Sequence, residues 1–138
     1  MKIEKQGENT MAIEPKMLEK IEQVNEKMRN SYKGWSKKSG DPVRDEIRDR
    51  MTEEYCNGLS FEDGRAYIRL VSETGGQRSV RGFILKKMTP AIERLNKGFR
   101  VGDLLKAAGW NSPAMNFPRG NVFDESFETQ EIRWTGII

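Results

Sequence analysis

A chain of 138 residues with 24 lysines and arginines against 21 aspartates and glutamates, net charge +3, is long enough for one domain with one core. It has no histidine and a single cysteine, Cys56, which excludes an internal disulfide, a Ser–His or Cys–His nucleophile pair, and the His/Cys clusters that zinc and copper favour. No apolar run approaches the ~18 residues of a membrane span, and Met1–Lys5 lacks the apolar core of a signal peptide, so a soluble cytoplasmic protein without membrane contact is expected.

Residues 1–13 are polar and aperiodic and read as a flexible tail before a single domain over 14–138. Pro15 suits the first turn of a helix. Met17, Ile21, Val24 and Met28 then recur at helical spacing, with Leu18 beside them, and predict an amphipathic helix. Tyr32–Gly40 interleaves aromatics with lysines, glycine and serine and predicts a loop whose Trp35 plugs the gap between two helices. Asp41 as N-cap and Pro42 open a second helix with Val43, Ile47, Met51 and Tyr55 as its buried stripe. Asn57-Gly58 ends it, leaving Cys56 as an inert, partly buried thiol.

From Leu59 the period changes. Leu59–Phe61 leads into a turn at Glu62–Arg65, a strand over Ala66–Val71, a turn at Glu73–Gly76 and a strand over Arg78–Lys86. This predicts a meander of two or three antiparallel strands. Gly82 marks a bulge or a place where another backbone comes close. Thr89-Pro90 starts a short helix with Ala91, Ile92 and Leu95, stopped by Asn96–Gly98. Asp103 starts another, with Leu104, Leu105 and Ala108 inward and Gly109 closing it. A long loop then runs to Gln130, where Ile132, Trp134 and Ile137-Ile138 predict a strand that rejoins the sheet. The expected fold class is α+β: two N-terminal amphipathic helices packed on a small antiparallel β-sheet, with short helices and a long loop before a C-terminal strand.

The positive charge is concentrated. Arg78–Lys106 holds eight basic residues against Glu93 and Asp103, while the flanking segments are near neutral or acidic. Such a block suggests an anionic partner. Arg69, Arg78, Arg81, Lys86 and Lys87 are the predicted phosphate contacts, extended by Arg100, Lys106 and Arg119. On an edge strand the same charges would simply oppose aggregation. Trp110 and Phe117 either offer stacking faces beside Arg119 or anchor a long loop on the core, and Gly120 would admit a close backbone approach. The carboxylates Asp41, Asp45, Glu46, Asp49, Asp124, Glu125 and Glu128 follow no metal spacing and read as solvated surface. No catalytic residue, metal or cofactor is predicted, and the chain is not expected to be an enzyme.

The runs Lys106-Ala107-Ala108-Gly109-Trp110-Asn111-Ser112-Pro113-Ala114, Arg119-Gly120-Asn121-Val122-Phe123 and Arg133-Trp134-Thr135-Gly136 resemble small proteins of tailed bacteriophages. The resemblance covers the C-terminal third, and Pro90–Asn96 has no place in it. It implies a viral gene product in a host bacterial cytoplasm, and it brings no catalytic residues, because that family has no established activity. The expected function is non-catalytic binding of an anionic partner, nucleic acid first, through a central basic face. The alternatives are a phage-type module that binds a host protein, and a small nucleotide-binding protein or enzyme that uses the Trp110–Asn121 loop.

Overall fold

The computed structural model describes residues 13–36, 39–124 and 132–138. The tail expected over 1–13 lies outside these, except for Ile13, which is 3% exposed and belongs to the core. Among the described residues no helix is long and apolar enough to cross a membrane.

Helix α1 (Pro15–Trp35) has proline in its first turn and buries Met17, Ile21, Val24 and Met28, as their spacing predicts. It continues to Trp35, into the first part of the segment Tyr32–Gly40 expected to be a loop. Tyr32 adds another four-residue step to the stripe, and its ring is buried against Tyr55 with centroids 4.5 Å apart. Trp35 therefore ends the helix, where it is 59% exposed instead of plugging a gap. Helix α2 (Pro42–Asn57) is capped by Asp41, whose carboxylate accepts from the Val43 and Arg44 amides at 3.0 and 3.5 Å. Its apolar stripe is not buried as expected. Tyr55 is held in the core, but Val43, Ile47 and Met51 are 67%, 43% and 51% exposed. The helix docks by its C-terminal end, where Gly58 lies so close to the Glu73 carbonyl that a Cβ would sit 2.0 Å from it.

Strands β1 (Leu59–Asp63), β2 (Tyr67–Thr74), β3 (Gln77–Leu85) and β4 (Leu104–Leu105) form one antiparallel sheet in that order. Residues 119–122 run along β4: the Leu104 amide donates to Gly120, and the Arg119 amide donates to Leu104. The sheet separates two apolar clusters. One face (Ile68, Leu70, Ile84, Leu104) packs on α1 together with Tyr55, Val122 and Ile137. The other (Tyr67, Phe83, Leu85, Leu105) packs on Ile92, Phe99 and Met115. No helix starts at Asp103. Side chains alternate across a strand, so adjacent Leu104 and Leu105 enter different clusters, which one face of a helix does not allow.

Helix α3 (Pro90–Leu95) forms as predicted, capped by the Thr89 hydroxyl and closed by Asn96 in the left-handed region at φ 54°. β5 (Ala107–Gly109) and β6 (Ser112–Pro113) make a small hairpin. The predicted C-terminal strand is instead a second hairpin, β7 (Ile132–Arg133) with β8 (Gly136–Ile137), paired with itself and resting on β3. The bulge expected at Gly82 is present, and the closest approach to Gly82 is by a side chain, that of Ile137, with the Leu105 carbonyl 3.2 Å from where a Cβ would stand. The register passes from Leu70–Gly82 to Val71–Val80, leaving Arg81 as the extra residue of a bulge. Ile137 then seats over Gly82, where a Cβ would come 2.4 Å from its Cγ1.

Candidate functional site

The loop between β4 and residue 119 carries aromatics at its surface. Trp110 is 37% exposed and Phe117 54%, so neither is a core anchor; Val122, fully buried beside the sheet, does that work. The guanidinium of Arg69 lies 4.8 Å from the Trp110 ring centroid and that of Arg78 lies 5.3 Å from it. Arg69 is fixed further by donating to the Trp110 carbonyl at 2.9 Å and to Asn111 Oδ1 at 2.6 Å. Arg119 covers Phe117 at 3.9 Å and donates to Asn116 Oδ1 and the Phe117 carbonyl. Lys106 is exposed one rung further along: its carbonyl accepts from Ala114, while Leu104 accepts from Arg119.

Glu62 joins this group from within β1, where a turn residue is expected from the sequence. It stands opposite Arg69 in the β1–β2 register and pairs with Arg69 at 2.5 Å and with Arg78. Hydrogen bonds from Arg78, and then from Arg69, hold its carboxyl below the ordinary range. The signal was available: a carboxylate seven residues before a strand arginine, across a tight Asp-Gly turn.

The structure does not gather the eight predicted basic residues on one face. Arg69 and Arg78 meet at Trp110, Arg119 lies over Phe117, and Lys106 is exposed between Leu105 and Ala107. The bulge turns Arg81 to the opposite face of the sheet, beside Tyr55 and Trp134, where its Nη1 donates to the Thr135 carbonyl at 3.4 Å. Lys86 is held by Asp63 at 2.6 Å, and Arg100 by Asp124 at 3.0 Å. Lys87 lies near the start of α1, beside Met17 and Phe123.

Of the loop residues singled out, Asn121 is structural. It is 1% exposed and donates to Asp103 Oδ1 at 2.9 Å and to the Val101 carbonyl at 3.0 Å. Of the acidic residues, Asp41 caps α2 and Asp45 accepts from Ser39 and Gly40, while Glu46 and Asp49 are exposed. Glu125 and Glu128 lie outside the described residues. Among those described, no group of His, Cys, Asp or Glu is arranged to hold a metal ion.

On the α1 side, Tyr32, Trp35, Met51, Tyr55, Arg81 and Trp134 line a groove of about 390 Å³. Trp35 and Trp134 meet at 4.9 Å, and Trp134 lies edge-on to Tyr32 at 5.2 Å. Arg81 Nε is buried there with no hydrogen-bond partner among the described residues. No family model, curated protein or solved structure matches the chain.

Proposed function

We propose that the protein is a non-catalytic module that binds single-stranded nucleic acid across the surface formed by Trp110, Phe117 and their arginines. One observation carries this reading: both large aromatics of the loop face solvent, and each has a guanidinium over its ring. Unpaired bases stack on such rings irrespective of sequence, and arginine beside them supplies phosphate contacts. Arg78 and Arg119 make fewer hydrogen bonds than their guanidinium N–H groups allow. Arg69 and Arg78 share Glu62, and Glu73 stands 4.0 Å from Arg78 Nε, so a phosphate would exchange with carboxylates at that cluster. The remaining predicted contacts (Arg81, Lys86, Lys87 and Arg100) are not part of this surface. A viral origin in a host bacterial cytoplasm belongs to the same proposal and rests on the C-terminal resemblance.

Fluorescence anisotropy with a labelled 20-nucleotide single strand and its duplex, titrated across salt concentrations, tests the reading. Micromolar or tighter binding to the single strand is expected at low salt, weakening as salt rises. Removing one stacking ring, by Trp110→Ala or Phe117→Ala, should cost about 1–3 kcal/mol. No complex at low salt, or affinity that survives loss of both rings, overturns it.

A further inference from the structure

The stripe that α2 leaves in solvent lies on the α1 side of the sheet, away from the Trp110 surface, and does not depend on the reading above. Val43, Ile47 and Met51 recur at four-residue steps along it, and Met51 opens into the groove walled by Trp35 and Trp134. A row of large apolar side chains ending in an aromatic notch matches the helix-in-groove mode of peptide recognition. The charge beside the row decides what fits. At about 100° per residue, Glu54 falls on the stripe itself, about 20° from Ile47, and the flanks are Arg44 on one side and Arg50 on the other, each about 60° from Ile47, with Arg48 beyond Arg44. All three lack an ion-pair partner among the described residues. Glu46 is the nearest free carboxylate, about 100° away on the Arg50 side. Glu54, at the groove, already accepts from the Gly75 amide at 2.6 Å. Arg81 also lines the groove, and its buried Nε has no acceptor among the described residues.

We propose that this face docks an acidic amphipathic helix of a partner protein. The partner's apolar side chains would lie along Val43–Ile47–Met51, with a large one against Trp35 and Trp134. Its flanking carboxylates would meet Arg44, Arg48 and Arg50. The positive border selects against a basic helix, and the single-residue-wide stripe suits one helix rather than a flat surface.

Two labelled synthetic helical peptides test this, identical in an apolar stripe of leucines with one tryptophan and differing only in flanks of Glu or Lys. The Glu peptide should bind at least tenfold tighter by anisotropy. Ile47→Asp should lose at least tenfold of that affinity, and Arg44→Glu with Arg50→Glu should reverse the preference between the peptides. These side chains are exposed, so circular dichroism should be unchanged. Single-stranded DNA binding by Ile47→Asp should also be unchanged, which separates this face from the Trp110 surface. Equal affinity for the two peptides, or indifference to Ile47→Asp, overturns the proposal. So does sedimentation that finds the wild type dimeric and Ile47→Asp monomeric, since a second copy then covers the stripe.

Discussion

The hydroxyl of Tyr55 donates to the backbone carbonyl of Trp134 at 2.7 Å, joining the end of α2 to a hairpin 79 residues further along the chain. This bond, with the stacked Tyr32 ring, closes the aromatic cluster on which α1, α2 and the C-terminal hairpin meet. Burial pushes the Tyr55 phenol up to about 12. A raised value means that the fold prefers the neutral phenol. The contribution is therefore complete below the unfolded value of ~10 and is lost as pH rises through the folded one. Tyr55→Phe should lose about 1–2 kcal/mol at neutral pH, because the Trp134 carbonyl is left without its donor. The gap between variant and wild type should narrow between pH 10 and 12. Urea denaturation at pH 7.5 and pH 11 checks both statements, and an unchanged gap at pH 11 contradicts the second.

Asp103 and Asn121 form a buried polar lock between β4 and the segment beside it. Asp103 accepts from the Arg100 amide at 2.7 Å and from Asn121, and Asn121 Oδ1 accepts from the Phe123 amide at 2.8 Å. Gly102, at φ 94°, lies so close that a Cβ would approach the Phe123 ring and Asn121 Oδ1 within 3 Å. Asn121→Ala leaves a buried carboxylate oxygen and two backbone groups without that partner, and should cost about 3 kcal/mol or more, at about 1–3 for each of the three groups. A loss below ~1 kcal/mol in denaturant titration would mean that water satisfies the site.

Glu62 links the fold to the proposed function, since it occupies the arginines that a phosphate would use. Its carboxyl is held low, so the stabilisation from pairing is present above the ordinary value of ~4.3 and is lost as pH falls through the lowered one. The side chain keeps about a third of its surface in solvent, which screens the pairing, so the effect on stability stays below ~1 kcal/mol. Glu62→Gln should therefore leave the denaturation midpoint nearly unchanged while raising single-strand affinity several-fold. The slope of log affinity against log salt should steepen by about one phosphate contact. A drop in affinity would show instead that Glu62 positions Arg69 and Arg78 productively.

What the sequence revealed and what it concealed divide along physical lines. The α1 stripe was legible because one period governs all its buried positions, and the β2–β3 hairpin because Gly75-Gly76 interrupts two β-rich runs. The α2 stripe has the same period, yet periodicity says only that residues share a face, not that anything covers it. Leu104 and Leu105 misled for a related reason. Two adjacent leucines fit a short helix as well as a strand buried on both sides, and only the second cluster under the sheet decides between them. The basic block is continuous in sequence but divided in space, because the bulge at Arg81 reverses the side-chain alternation between Val80 and Gly82. Glu62, which organises the surface, was hidden by the strand ending two residues later than its turn signal suggested.

The uneven burial of the two long helices bears on dynamics as well as on recognition. α1 buries six side chains, Met17 through Tyr32, whereas Tyr55 is the one α2 residue that is buried. Local opening free energy follows buried apolar contact, so the first half of α2 depends mainly on its Asp41 cap and its helix hydrogen bonds. Amides of residues 45–51 should exchange with solvent at least a hundredfold faster than those of Ile21–Met28 in native-state hydrogen exchange. Asp41→Ala removes the acceptor for two first-turn amides and should speed that segment further, at about 1 kcal/mol, while leaving α1 unaffected. Adding the Glu-flanked peptide should slow exchange in the same segment if a partner helix covers Val43, Ile47 and Met51. Equal protection of both helices in the free protein would mean that α2 opens only with the whole domain, and that its exposed stripe carries no cost in local stability.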